Sequence, residues 1–217
     1  MKSLILKDLY NIIHNSKSML FILLFFAVVF LPSSGIQGYI YTCAILCSMM
    51  IVTTLSFDER SDWMSYALVM PVSRRDLAAG KYIVLFLFSS IGVLFGLIVG
   101  IIGSFIHKSV GLLPENLSEI PLPMAALTAL AFSTVFGSIS IPLTLKFGAE
   151  KGRILVFASF FIPVAICYII YRLLAALGIA ITGSSLAILL YCSPAAAIVW
   201  NYFMFQISCF ILSKKEF

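Results

Sequence analysis

The chain reads as an all-α integral membrane protein with six transmembrane helices. Three observations predict this class. Of its 217 residues, 62% are hydrophobic and 11% charged, where a soluble domain carries about 25% charge. Mean hydropathy is +1.11. The charges also fall into blocks separated by long apolar runs, and spans of this kind are helical because only helices and closed barrels satisfy backbone groups in lipid. One bundle accounts for residues 1–217 as a single domain, with no length left for a soluble one.

The elements follow in order. Before the first span, Leu4, Ile5, Leu9, Ile12 and Ile13 recur at helical spacing against Lys2, Lys7, Asp8 and Asn11. That pattern predicts an amphipathic N-terminal helix lying in the inner membrane interface. Residues 1–17 carry three lysines and an aspartate without a cleavage site, so they read as mature chain. Residues 18–57 then contain no charge over 40 positions, about 60 Å as helix and twice the hydrocarbon thickness. Leu31, Pro32, Ser33, Ser34 and Gly35 form a strong turn signal in the middle, which gives spans at 17–31 and 36–57. The first is short unless it begins near His14 and lets Lys17 snorkel.

The third span is residues 82–106 and the fourth 122–145, with Pro142 near its end. No charge appears from 173 to 213, and the break falls at 178–185. The fifth span is therefore 154–177 and the sixth about 185–212, with Pro194 placed to kink or interrupt it. With both termini on one side, that side collects Lys2, Lys7, Lys17, Arg60, Arg74, Arg75, Lys81, Lys146, Lys151, Arg153, Lys214 and Lys215, and the other only Lys108 and Arg172. Twelve against two places both termini in the cytoplasm.

Residues 57–81 are the densest charged segment, with Asp58, Glu59, Arg60, Asp62, Arg74, Arg75, Asp76 and Lys81. Burying eight such charges in hydrocarbon would cost on the order of 20 kcal/mol, so the segment is expected in water. Trp63, Tyr66, Ala67 and Met70 fall at i, i+3, i+4 and i+7, one face of a short helix ended by Pro71. Ser73 reads as an N-cap with Asp76 three residues on, and Arg74 and Arg75 open a helix running into the third span. From the residues alone, a docking element and a solvated loop with a headgroup-anchored Trp are equally open.

Taken together, the acidic pair Asp58 and Glu59, then Trp63, then Pro71, Val72, Ser73, Arg74 and Arg75, then Gly80, Lys81 and Tyr82 resemble the corresponding stretch of ABC-2 type permeases. The six-span layout agrees over the whole chain. Within that family the chain is similar to the small bacterial permeases of phenol-soluble modulin and antimicrobial-peptide exporters. The resemblance implies a permease subunit of an ATP-driven exporter in the bacterial cell membrane, moving amphipathic peptides or other hydrophobic compounds outward. It implies two ATPase subunits, which hold ATP and magnesium, and a second permease that is identical or paralogous. The loop after the second span would be a cytoplasmic coupling helix seated on the ATPase. Carried over by position, Asp58, Glu59, Arg60, Asp62, Trp63, Met64, Arg74, Arg75 and Asp76 are the contacts.

The remaining residues exclude more than they assign. No G-x-x-x-x-G-K-[ST] occurs; Gly80 and Lys81 are followed by Tyr82, so the chain has no phosphate-cradling loop of its own. No nucleic-acid partner, catalytic residue, metal ligand or cofactor is expected. The rivals are a stand-alone membrane enzyme acting on lipids and an ATP-independent secondary transporter. The first needs clustered acids or histidines at one face, and the second ionisable groups inside the spans. Gly92, Gly96, Gly100 and Gly103 make a smooth ridge on the third span, readable as a sliding surface or as packing within one subunit. Ser133, Thr134, Ser138, Ser140 and Thr144 give the fourth span a polar grain, read as helix–helix glue. The five cysteines lie in apolar runs at spacings unlike a metal or disulfide framework.

Overall fold

The structure is a computed structural model describing residues 2–69, 73–110, 121–148 and 183–214, with scattered positions between 151 and 173. Among the described residues it is all helical. We number the helices α1 (Lys2–Ser48), α2 (Met50–Arg60), α3 (Trp63–Val69), α4 (Arg74–Val110), α5 (Leu122–Phe147) and α6 (Gly183–Lys214). Four stretches are long and apolar enough to cross a membrane: Ser16–Arg60, Arg74–Phe105, Leu122–Phe147 and Leu190–Lys214.

The first stretch is a hairpin. Gly35 sits at φ 67°, ψ −169°, a backbone region essentially reserved for glycine. Pro32 three residues earlier removes a helical donor. The chain folds back there: the Tyr39 hydroxyl donates to the Leu23 carbonyl at 3.2 Å, groups about 24 Å apart along an unbroken helix. Leu23, Ala27 and Leu31 of the first arm pack in one cluster with Tyr39, Cys43 and Cys47 of the second. The turn expected at residues 31–35 is therefore present. The N-terminal segment is helical as expected, but it continues into the first arm without a dihedral break before Gly35.

The second arm passes through Met49 into α2 and leaves the apolar zone at Arg60. Helix α4 lies along it, and the glycine ridge explains the fit. A Cβ on Gly92 would meet the Cys43 carbonyl oxygen at 2.7 Å, and one on Gly96 would meet Ile40 Cα at 3.0 Å. The ridge thus packs within the subunit.

Helix α5 is the most enclosed of the candidate spans. Its hydroxyls satisfy themselves: Thr134 bonds to Leu130 and Ala131, Ser138 to Val135, and Thr144 to Ser140, all carbonyls of their own helix. Among the described residues these three donate within their own helix rather than across to another. Thr128 does reach across, to the hydroxyl of Tyr41. Helix α6 packs on α5 and runs through Pro194 without interruption. Proline lacks the N–H that the Leu190 carbonyl would accept, and the Ser193 hydroxyl takes that carbonyl at 2.8 Å. Most of the predicted fifth span, 154–177, lies outside the described residues, as do 178–182 of the expected break at 178–185; residues 183–185 already belong to α6.

Candidate functional site

At one end of the bundle the two ends of the charged segment are held close together. Helix α2 presents Ile51, Thr54, Leu55 and Asp58 at i, i+3, i+4 and i+7, all buried. Asp58 therefore points the way the apolar stripe points. On α4 the buried series Leu77, Ala78, Lys81, Val84, Leu85 and Phe88 includes a lysine. On α1, Asp8 lies four residues after Leu4 and four before Ile12, within the stripe that faces the core. Three charges are thus carried inward by the amphipathicity of their own helices.

They meet. Lys81 Nζ lies 2.8 Å from Asp8 and 2.6 Å from Asp58. Lys7 Nζ pairs with Asp58 and lies 3.5 Å from Asp8, and its ammonium sits 4.4 Å over the Trp63 ring, a cation–π contact. Asp8, Asp58 and Lys81 are 3%, 2% and 6% exposed. Two cations and two anions make the cluster neutral, which a buried cluster requires. Beside it is a cavity of about 10 Å³ bounded by Trp63, Met64, Leu77 and Gly80, space for roughly one water.

Between α2 and α3 the chain turns at Asp62, whose φ of 48° is a left-handed conformation that aspartate tolerates better than most residues. Ser73 caps α4 as expected, accepting from the Asp76 amide at 3.0 Å. Met70, Pro71 and Val72 lie outside the described residues.

The nine residues expected to face a partner separate into groups. Asp58 is interior, held by Lys7 and Lys81, and presents no surface. Trp63 and Met64 are half-buried, and Met64 packs on the main core cluster. Arg74 donates to the carbonyls of Leu212 and Ser213, both at 2.7 Å, so it ties α4 to the C-terminus of α6. Asp76 is half-buried. Glu59 is exposed, with its carboxylate against the turn at Gly148, where a Cβ would meet Oε1 at 2.7 Å. Arg60, Asp62 and Arg75 are exposed.

Helix α3 is rotated from the face expected for it. Ala67 turns inward at 1% exposure, whereas Tyr66 is 66% and Val69 87% exposed. Tyr66 shares the Trp63 side by spacing, but it stands at the exposed edge of that side while Trp63 is half-buried and Ala67 turns inward. Lys7, Asp8 and Lys81 were absent from the expected site. A signal for Asp8 was present: it is the sole acidic residue before Asp58, placed in an apolar stripe.

A second feature is a cleft of about 290 Å³ between α4, α5 and α6, lined mainly by apolar groups with Thr134 and Asn201 as polar members.

A family model described as ABC-2 family transporter protein matches residues 3–213. The chain belongs to that family. No curated protein and no solved structure matches it. Membership makes this ABC-2 chain the permease subunit of an ABC transporter, a multi-pass membrane protein that associates with an ABC ATPase rather than an enzyme.

Proposed function

We propose that this permease is the six-span membrane subunit of a bacterial exporter for amphipathic peptides or other hydrophobic compounds, with both termini and the charged segment in the cytoplasm. Two copies, or one copy and a paralogue, enclose the pathway, and two ATPase subunits hold ATP and magnesium. The small α3 helix is the coupling element. The observation that carries this reading is its geometry: a short helix in the segment between the paired, buried Asp58 and Lys81, with Tyr66 and Val69 exposed and exposed Arg60, Asp62 and Arg75 in the same segment. An aromatic and an aliphatic anchor ringed by charges is the anatomy of a protein–protein contact.

ATP binding would close the ATPase pair, bring the two α3 helices together and tilt the bundles outward. The positive-inside count supports the orientation, and the apolar cleft suits a greasy cargo or a lipid chain. The test is a complex purified from the native membrane. Tyr66→Ala and Arg75→Glu are expected to lower ATPase affinity about tenfold each, with the thermal midpoint of the permease unchanged. Full affinity in both variants would remove α3 from the interface.

A further inference from the structure

We infer that the buried quartet of Lys7, Asp8, Asp58 and Lys81 is the joint that makes the N-terminal helix and the start of α4 move as one body with the coupling helix α3. The inference rests on the permease reading above and names how motion leaves the docking helix.

The argument begins with energetics. Taking Asp8, Asp58 and Lys81 out of water, with Lys7 half-buried beside them, is costly, and well-packed apolar residues would stabilise such a site as well or better. What the quartet supplies is geometric uniqueness. Lys81 must reach two carboxylates at 2.6 and 2.8 Å, Asp58 must serve two lysines, and Lys7 must also cover Trp63 at 4.4 Å. Slipping any helix by one residue would leave a charge unpaired inside the fold. Apolar contacts alone would tolerate sliding.

The sequence positions then decide what is joined. Lys7 and Asp8 belong to α1, Asp58 to the last turn of α2, and Lys81 to the third turn of α4. The coupling helix lies between Asp58 and Lys81, so both of its attachments end in the quartet, and Trp63 of α3 itself touches Lys7. Gly80 brings the α4 backbone close to α1; a Cβ there would lie 3.8 Å from Leu4 Cβ. A push on α3 is thereby delivered to the N-terminal helix as well as to the spans that flank it. Asp8 and Lys81 are positioning residues.

The experiment uses the permease complex with the ATPase that purifies with it, reconstituted in vesicles. Asp8→Asn combined with Lys81→Met keeps the cluster neutral while removing the tie between α1 and α4. Spin labels on Leu6→Cys and on Ser61→Cys, an exposed position at the turn into α3 outside the docking anchors, report the separation of the N-terminal helix from the start of α3. In the otherwise wild-type complex that distance is expected to stay constant when ATP is added. In the neutral double variant, with its thermal midpoint unchanged, the distance is expected to shift, and permease-stimulated ATP hydrolysis to fall about tenfold. A stable double variant with full stimulation and a constant distance would reduce the quartet to a packing device and overturn the inference. A wild-type distance that changes with ATP would overturn it even if the double variant failed to fold. Failure of the permease reading looks different: the wild-type chain would then not alter hydrolysis at all.

Discussion

Single residues carry the sharpest consequences at Asp58. It is the shared acid of Lys7 and Lys81, at 2% exposure. Asp58→Asn leaves two lysines with one carboxylate, and breaking a buried pair this way costs about 3–5 kcal/mol. The loss is expected as a lower thermal midpoint in detergent, visible before any transport assay. A midpoint within error of wild type would show that the cluster is solvated. Arg74 makes the opposite point about surface charge. Named among the expected ATPase contacts, it also closes its guanidinium on the last carbonyls of α6, and the neighbouring Arg75 is the more exposed of the two. Charge and spacing could not separate two adjacent arginines, because which one points outward depends on a helix more than 130 residues later. Asp8 was legible in principle. Its i±4 neighbours Leu4 and Ile12 place it in the core-facing stripe, but an acid is read as solvent-facing by default, and its lysine partner comes from α4.

At the scale of elements, the hairpin and the glycine ridge were both readable. The Leu31–Gly35 turn signal gives two arms, and the structure bends at Gly35. Gly35→Ala is expected to destabilise by about 1–3 kcal/mol because an L side chain is strained at that φ and ψ, as measured by thermal denaturation. The ridge on α4 makes a graded prediction. At Gly92 an added methyl meets a carbonyl oxygen and a Cβ, which cannot move cheaply, whereas at Gly103 it meets the end of the Leu31 side chain. Gly92→Ala is expected to cost about 1–3 kcal/mol and Gly103→Ala much less; equal effects would argue that α1 and α4 are loosely packed. The orientation of α3 was not readable. A helix of seven residues offers two turns, and with apolar residues at 63, 64, 66, 67, 68 and 69 the stripe has no sharp edge. Packing of Met64 on the core and the burial of Ala67 settle it.

For the whole molecule, the described residues gather a cluster of paired charges at one end of the bundle. Helix α3 is preceded by the quartet's Asp58 and followed by the Arg74 tie to α6, so in the coupling reading proposed above a push on it is delivered to α1, α2, α4 and α6 together. Composition disclosed the membrane character. It was silent on the internal pairing that joins the charged segment to the N-terminal helix, since that pairing depends on residues 51 and 73 positions apart. The decisive measurement is ATP hydrolysis by three preparations in the same vesicles: the permease alone, its co-purifying ATPase alone, and the two together. No hydrolysis by the permease alone, and a rate for the pair that rises above the ATPase alone and falls back in Tyr66→Ala, is the predicted result. Hydrolysis by the isolated permease, or a rate for the ATPase that is indifferent to its presence, would contradict it.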